Sequence, residues 1–192
     1  MIKKMKKLLV FSSMLLLLFC ICCDKGPEVR KYKKKESSQA VSGQAQFLWD
    51  TPQGWDEIRT TTGMRLTAFS IKSQYRESQC TIIPLKGAAG GIRANVIRWL
   101  EQINAKMEPG SDELEKFLAT GEDFRTKGDF PAVLYDFTGM NHGPEEQSIL
   151  VTIITFRESS IFIKMTGKKS QLVINRKKFK SLSQSFRLKR EN

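Results

Sequence analysis

Ser148-Ile149-Leu150-Val151-Thr152-Ile153-Ile154-Thr155-Phe156, a turn at Glu158-Ser159-Ser160, and Ile161-Phe162-Ile163-Lys164-Met165 read as two consecutive β-strands. Beyond them, Leu172, Asn175, Phe179, Leu182 and Phe186 recur at intervals of three, four, three and four, which is one face of an α-helix. The intervening lysines fall on its outer face, and Asn175 is the one polar member of the inner stripe. A strand pair closed by an amphipathic helix is thus the motif from which the rest of the chain is read.

Upstream, residues 123–127 and 132–137 have strand character, and residues 65–72 alternate, with Leu66, Ala68 and Ser70 opposite Thr67, Phe69 and Ile71. Residues 79–85 follow as the next strand, and residues 75–78 make the turn. The run Gly87-Ala88-Ala89-Gly90-Gly91 then breaks the pattern. Ile92, Val96, Trp99, Leu100 and Ile103 form one apolar stripe, which predicts a helix over residues 92–104 with Arg93, Arg98 and Glu101 towards water. Pro109-Gly110 ends that stretch. Ser111 or Asp112 can cap a short second helix through Leu118, with Asp112, Glu113 and Glu115 in the first turn where the helix dipole favours acids. The folded part opens at Phe47-Leu48-Trp49, where a short strand runs into Pro52, Gly54 and Trp55. The expected architecture is a single α+β domain over residues 46–188, a curved antiparallel β-sheet flanked by helices. No internal repeat is found. Which face each helix covers does not follow from the sequence.

The N-terminus has a different composition. Lys3, Lys4, Lys6 and Lys7 precede residues 8–23, in which Ser12 and Ser13 are the only polar interruptions among apolar and cysteine residues. That is the charged region and apolar region of an export signal. It falls short of the roughly 20 apolar residues needed to span a bilayer, and an uncleaved anchor is the competing reading. The run ends in Phe19-Cys20-Ile21-Cys22-Cys23-Asp24, a loose form of, and similar to, a lipoprotein signal. Cys23 is the expected lipid-attachment residue, because the small Cys22 precedes it and Asp24 begins the polar chain. Cys20 and Cys22 follow the bulky Phe19 and Ile21 and are second choices. An ordinary signal peptide with cysteines as apolar filler is the alternative, against which no small-residue cleavage site follows the apolar run. Residues 1–23 are therefore expected to be a lipoprotein signal peptide and residues 24–45, with Gly26, Pro27 and a Ser37-Ser38 stretch, a flexible basic tether. This predicts lipid anchoring in the cell envelope on the exported side, with inner and outer membrane both open.

The formal net charge of +12 is unevenly distributed. Six bases stand against three acids in the tether, nine against one from Lys168 onward, and 13 against 16 over residues 37–167. The body is nearly neutral and its ends, including the basic tail 189–192, are positive. Basic ends beside a lipid anchor would be attracted to anionic lipid headgroups; a solvated linker is the plain alternative. Export and the absence of a recognised motif argue against nucleic acid.

No constellation of residues suited to catalysis is found. His142 is the one histidine and lies in a Gly-Met-Asn-His-Gly-Pro loop, so a His-based metal site is excluded, and Cys80 is the one cysteine beyond the signal, which excludes an internal disulfide there and a Cys-rich metal site. Cys80 next to Thr81-Ile82-Ile83 reads as a small packed residue. Glu145-Glu146 with Asp136 or Glu158 has no known carboxylate spacing, and Trp49, Trp55 and Trp99 could be a sugar-stacking set or core. No cofactor or metal is expected. The most suggestive feature is the glycine-rich turn before the first helix. Amides there can hold an anion, which makes Gly90, Gly91, Arg93, Asn95 and Arg98 the candidate ligand-binding residues. The Gly-Lys-Ser/Thr of a Walker loop is missing. A tight turn needing positive φ explains the same glycines.

Thr51-Pro52-Gln53-Gly54-Trp55, Gly63-Met64-Arg65-Leu66, Leu85-Lys86-Gly87-Ala88-Ala89-Gly90-Gly91, Asn95-Val96-Ile97-Arg98-Trp99 and Phe162-Ile163-Lys164-Met165-Thr166-Gly167 together resemble a family of uncharacterised bacterial envelope lipoproteins with a PsbP-like domain. The likeness covers roughly residues 47–188. It implies a PsbP-like sandwich and a non-enzymatic domain that binds an envelope protein or a small ligand. An envelope hydrolase or transferase with an unrecognised site, or a structural adaptor at the membrane surface, remains the alternative.

Overall fold

In the computed structural model, residues 47–58, 64–71, 78–140, 143 and 146–189 are described. The export signal with Cys20, Cys22 and Cys23, the tether, His142, Glu145 and the end of the basic tail lie outside these residues.

The strand order follows from hairpins. β2 (Asp56–Ile58), β3 (Thr67–Ile71) and β4 (Ser78–Lys86) pair antiparallel in sequence. Helices α1 (Ile92–Gln102) and α2 (Asp112–Leu118) then carry the chain to the far edge. There β5 (Glu122–Arg125), β6 (Pro131–Asp136), β7 (Gln147–Phe156) and β8 (Ser159–Lys168) return step by step until β8 pairs with β4. The result is a seven-stranded antiparallel sheet ordered β2-β3-β4-β8-β7-β6-β5. Helix α3 (Lys169–Gln184) follows, and a two-stranded ribbon joins β1 (Phe47–Leu48) to β9 (Arg187–Leu188). The fold is α+β, as read from the sequence.

Period-two alternation sends neighbouring residues of each central strand to opposite faces. On one face Ile82, Leu134, Leu150, Ile154, Ile161, Ile163 and Met165 meet Leu172, Phe179 and Leu182 of α3. On the other, Tyr135, Ile149, Val151, Ile153 and Phe162 meet Val96, Trp99 and Leu100 of α1 and Leu114 and Phe117 of α2. Both faces of β7 and β8 are therefore covered over most of their length, which is why these two strands are almost continuously apolar instead of alternating apolar and polar. Ser111 caps α2 by accepting from the Leu114 amide at 3.2 Å.

Several local expectations are corrected. The β7–β8 turn is Arg157-Glu158, with Ser159 and Ser160 already in β8, and Ser78 belongs to β4. Helix α1 ends at Gln102. Ile92, placed on the apolar stripe, is 42% exposed, because the first turn of α1 stands over an open part of the sheet. Phe186 is buried beyond the end of α3 rather than on it. Strands β2 and β9 were not anticipated.

Candidate functional site

The open part of the sheet is a groove of about 740 Å³. The first turn of α1 and the preceding loop (Gly87, Ala88, Gly91, Ile92) form one wall. The end of β5 and the start of β6 form the other. Ile153 and Phe162 lie on its floor, while Asp123, Arg125, Arg157 and Glu158 stand around its mouth. The volume is that of a site for a ligand of drug-like size, typically about 300–1,000 Å³.

The glycine-rich turn positions this wall. Gly90 has φ 88° and Gly91 φ 82° with ψ 161°, and the latter combination is one that side-chain-bearing residues rarely adopt. The turn is tied to the sheet: the Gly87 amide donates to the Glu158 carbonyl at 2.8 Å, and the Ser160 hydroxyl donates to the Gly87 carbonyl at 3.0 Å. Asn95 is buried, and its amide group donates to the carbonyls of Ala89 and Gly91 at 2.8 and 2.7 Å. Its oxygen accepts from Arg98 at 2.8 Å.

Of the five residues singled out from the sequence, Gly91 and Asn95 line the groove, and Gly90, Arg93 and Arg98 do not. Arg93 makes a two-pronged pair with Glu115 of α2, one arm at 2.9 Å, and so links the two helices at the surface. That hydrogen bond from Arg93 holds the Glu115 carboxyl below its usual range. The polar groups of Arg93, Asn95 and Arg98 thus have partners within the protein. The rest of the groove comes from segments far apart in the chain, none with a local motif: Ala132 and Val133, Ile153 and Thr155, and Phe162 were legible as parts of strands but not as one site.

The mouth carries both signs of charge. Arg125 is paired with Asp129, and Arg157 lies over the Phe156 ring at 5.2 Å from its centroid. Other candidates lie elsewhere. Cys80 is fully buried in the α3-side core, and burial pushes its thiol far above the usual range, which suits a packed side chain and not a nucleophile. Asp136 accepts from Arg176 of α3 at 2.7 Å, at the opposite end of the β6–β7 ladder from Glu158. Trp55 and Trp99 are buried in the two separate cores, and Trp49 stacks on Phe186, so the three do not form one platform. Among the described residues no group of three or more His, Cys, Asp and Glu side chains is placed to hold a metal ion.

The sequence matches no family model and no curated protein. Among solved structures, the chain is similar to cyanobacterial PsbP (CyanoP) from Synechocystis, at 12% identity over 78% of this chain and 89% of that one, with a TM-score of 0.46. It is similar to LpqN of Mycobacterium tuberculosis, described as involved in cell envelope biogenesis, at 9% identity over 75% and 83%, with a TM-score of 0.47. A Pseudomonas aeruginosa protein of unknown function is similar at 15% identity over 72% and 99%, with a TM-score of 0.41. At such identities the likeness concerns the course of the chain alone.

Proposed function

We propose that the chain is an exported, lipid-anchored, non-enzymatic binding module of the cell envelope, with Cys23 as the acylated residue and the α1–β6 groove as the place where a small ligand sits. The groove carries this reading: it is apolar in floor and walls, and its rim supplies charges of both signs. The polar groups closest to the glycine-rich turn hold the turn together, so the ligand is recognised mainly by an apolar body, with Arg157 and Glu158 available to a polar end. The anchor rests on the charged and apolar regions of residues 1–23 and the cysteine that closes them.

Thr155 is exposed at the groove and tests the reading without disturbing the core. Thr155→Trp fills the groove with an indole. Protein purified from envelope membranes is expected to release a bound small molecule on denaturation, seen by mass spectrometry, and the variant is expected to release at least tenfold less at unchanged melting temperature, a loss of about 1.4 kcal/mol in affinity. The same molecule in equal amount from both proteins, or none from either, sinks the groove assignment. Mass spectrometry of the mature N-terminus decides the anchor separately: acylation at Cys20 or Cys22 moves it, and an intact Met1 refutes it.

A further inference from the structure

The outward face of α3 is chemically unlike the rest of the surface. Residues 168–189 contain eight Lys and Arg and no Asp or Glu. Opposite the buried stripe, Val173 and Ile174 are 54% and 72% exposed, two of the six large apolar side chains presented to solvent among the described residues. Ser170, Val173, Ile174, Lys177, Ser181 and Gln184 share that face by their three- and four-residue spacing. Lys178 flanks it on one side; Lys180 and Arg176 flank it on the other.

The flanking charges differ in how far they are neutralised. Arg176 is held by Asp136 and Glu122, and Lys180 by Glu122. Lys178 donates to the Gln53 carbonyl at 2.9 Å, a neutral partner, and is in no ion pair with a carboxylate among the described residues. Lys177 is exposed beside Val173 and Ile174. A strip with two aliphatic side chains at its centre, bordered by the exposed ammonium groups of Lys177 and Lys178, has the chemistry of a basic amphipathic helix lying in a headgroup layer.

We infer that the outward face of α3 is a contact surface for an anionic lipid bilayer, with Val173 and Ile174 entering the headgroup boundary and Lys177 and Lys178 pairing with lipid phosphates. This contact is independent of the groove. It lies along the surface and does not cross it: among the described residues no helix is long and apolar enough to span a membrane. With only two apolar side chains to bury, charge supplies most of the attraction. Each lysine near an anionic surface is then worth about fivefold in partitioning, and salt weakens the contact.

The test uses the full chain with phosphatidylcholine vesicles, with and without phosphatidylglycerol. Lysine acetylation followed by mass spectrometry reads each side chain separately, so entry of residues 8–23 into the bilayer does not mask the result. Lys177 and Lys178 are expected to lose about fivefold or more in reactivity with phosphatidylglycerol present. Lys116 of α2, exposed on the other side of the sheet, is expected to stay unchanged. Ile174→Asp is expected to restore the reactivity while the thermal melt stays that of the wild type, since this side chain packs against nothing that the fold needs. Equal reactivity with and without vesicles, equal protection in the two lipid mixtures, or equal protection of Lys116 overturns the inference. The first of these outcomes is also what an acidic protein partner for this face would give.

Discussion

Helix α3 covers one face of the sheet from Lys169 to Gln184, whereas α1 and α2 leave the β5–β8 end of the other face open. The covered face is closed by more than helix burial. Phe186 stacks on Phe47 at 5.0 Å between ring centroids, the β1–β9 ribbon straps that end, and Trp55 donates to the buried Asn175 at 3.2 Å. A further buried pair, Thr152 with Ser183 at 2.8 Å, joins β7 to α3. The open face has Trp99 edge-on to Phe162 at 5.5 Å, and beyond that ring the groove begins. One sheet therefore carries a closed core on its α3 side and, on the other, a core that gives way to an open groove. The difference lies in how the helical cover is divided: one continuous helix of 16 residues spans the closed face, while two shorter ones of 11 and 7 residues share the other and leave the groove beside the first turn of α1.

The largest expected effect separates the two faces by the same chemical change. Phe179→Ala, in a fully buried position, is expected to cost about 3–5 kcal/mol in urea unfolding, because the enclosed cavity it leaves cannot collapse. Phe162→Ala removes an equal ring from the groove floor, where the space created is continuous with solvent, and is expected to fall at the low end, about 3 kcal/mol. If Phe162→Ala costs as much as or more than Phe179→Ala, the groove is not an open site and the contrast fails. A smaller effect belongs to the α3 side alone. Asn175→Ala strands the Trp55 indole N–H in the core, at about 1–3 kcal/mol. Adding Trp55→Phe is expected to make the Asn175→Ala step less costly, and a double-mutant cycle with no coupling would show that the bond contributes nothing.

This asymmetry was only half legible in the sequence. The stripe through Leu172, Asn175, Phe179 and Leu182 gave α3 because burial imposes a 3.6-residue period over four turns, and even the polar member was visible. Its partner was not, since Trp55 lies 120 residues away. The strands were visible as apolar runs, but the insertion of β8 between β4 and β7 depends on the crossover through α1 and α2, which no local pattern encodes. Strand β9 has two residues, too few to show an alternation. At the site, the glycines announced a special turn, and Gly90 and Gly91 do have positive φ. The arginines beside them pointed towards a ligand that their protein partners, Glu115 and Asn95, partly replace. Charges near a turn look alike in sequence whether they face a ligand or each other.

The smallest expected effect lies at the edge of the covered face. The hydrogen bond from Lys180, with Arg176 adding at 3.3 Å, holds the Glu122 carboxyl below its usual range, while burial acts in the opposite direction. A carboxyl depressed in the folded state stabilises the protein above its unfolded value of about 4.3 and loses that contribution as pH falls through the folded value. Because the Glu122 side chain is 35% exposed, solvent screening reduces its worth to about 0.5 kcal/mol. Glu122→Gln is therefore expected to lower stability by about that much at neutral pH and low salt, with the difference vanishing once the pH falls below the depressed folded value, and in about 1 M salt. Urea unfolding of the two proteins across that range checks it. A deficit that persists at low pH would mean that the amide loses packing or geometry at the β5 edge, and that the ion pairs do not fasten α3 to the sheet.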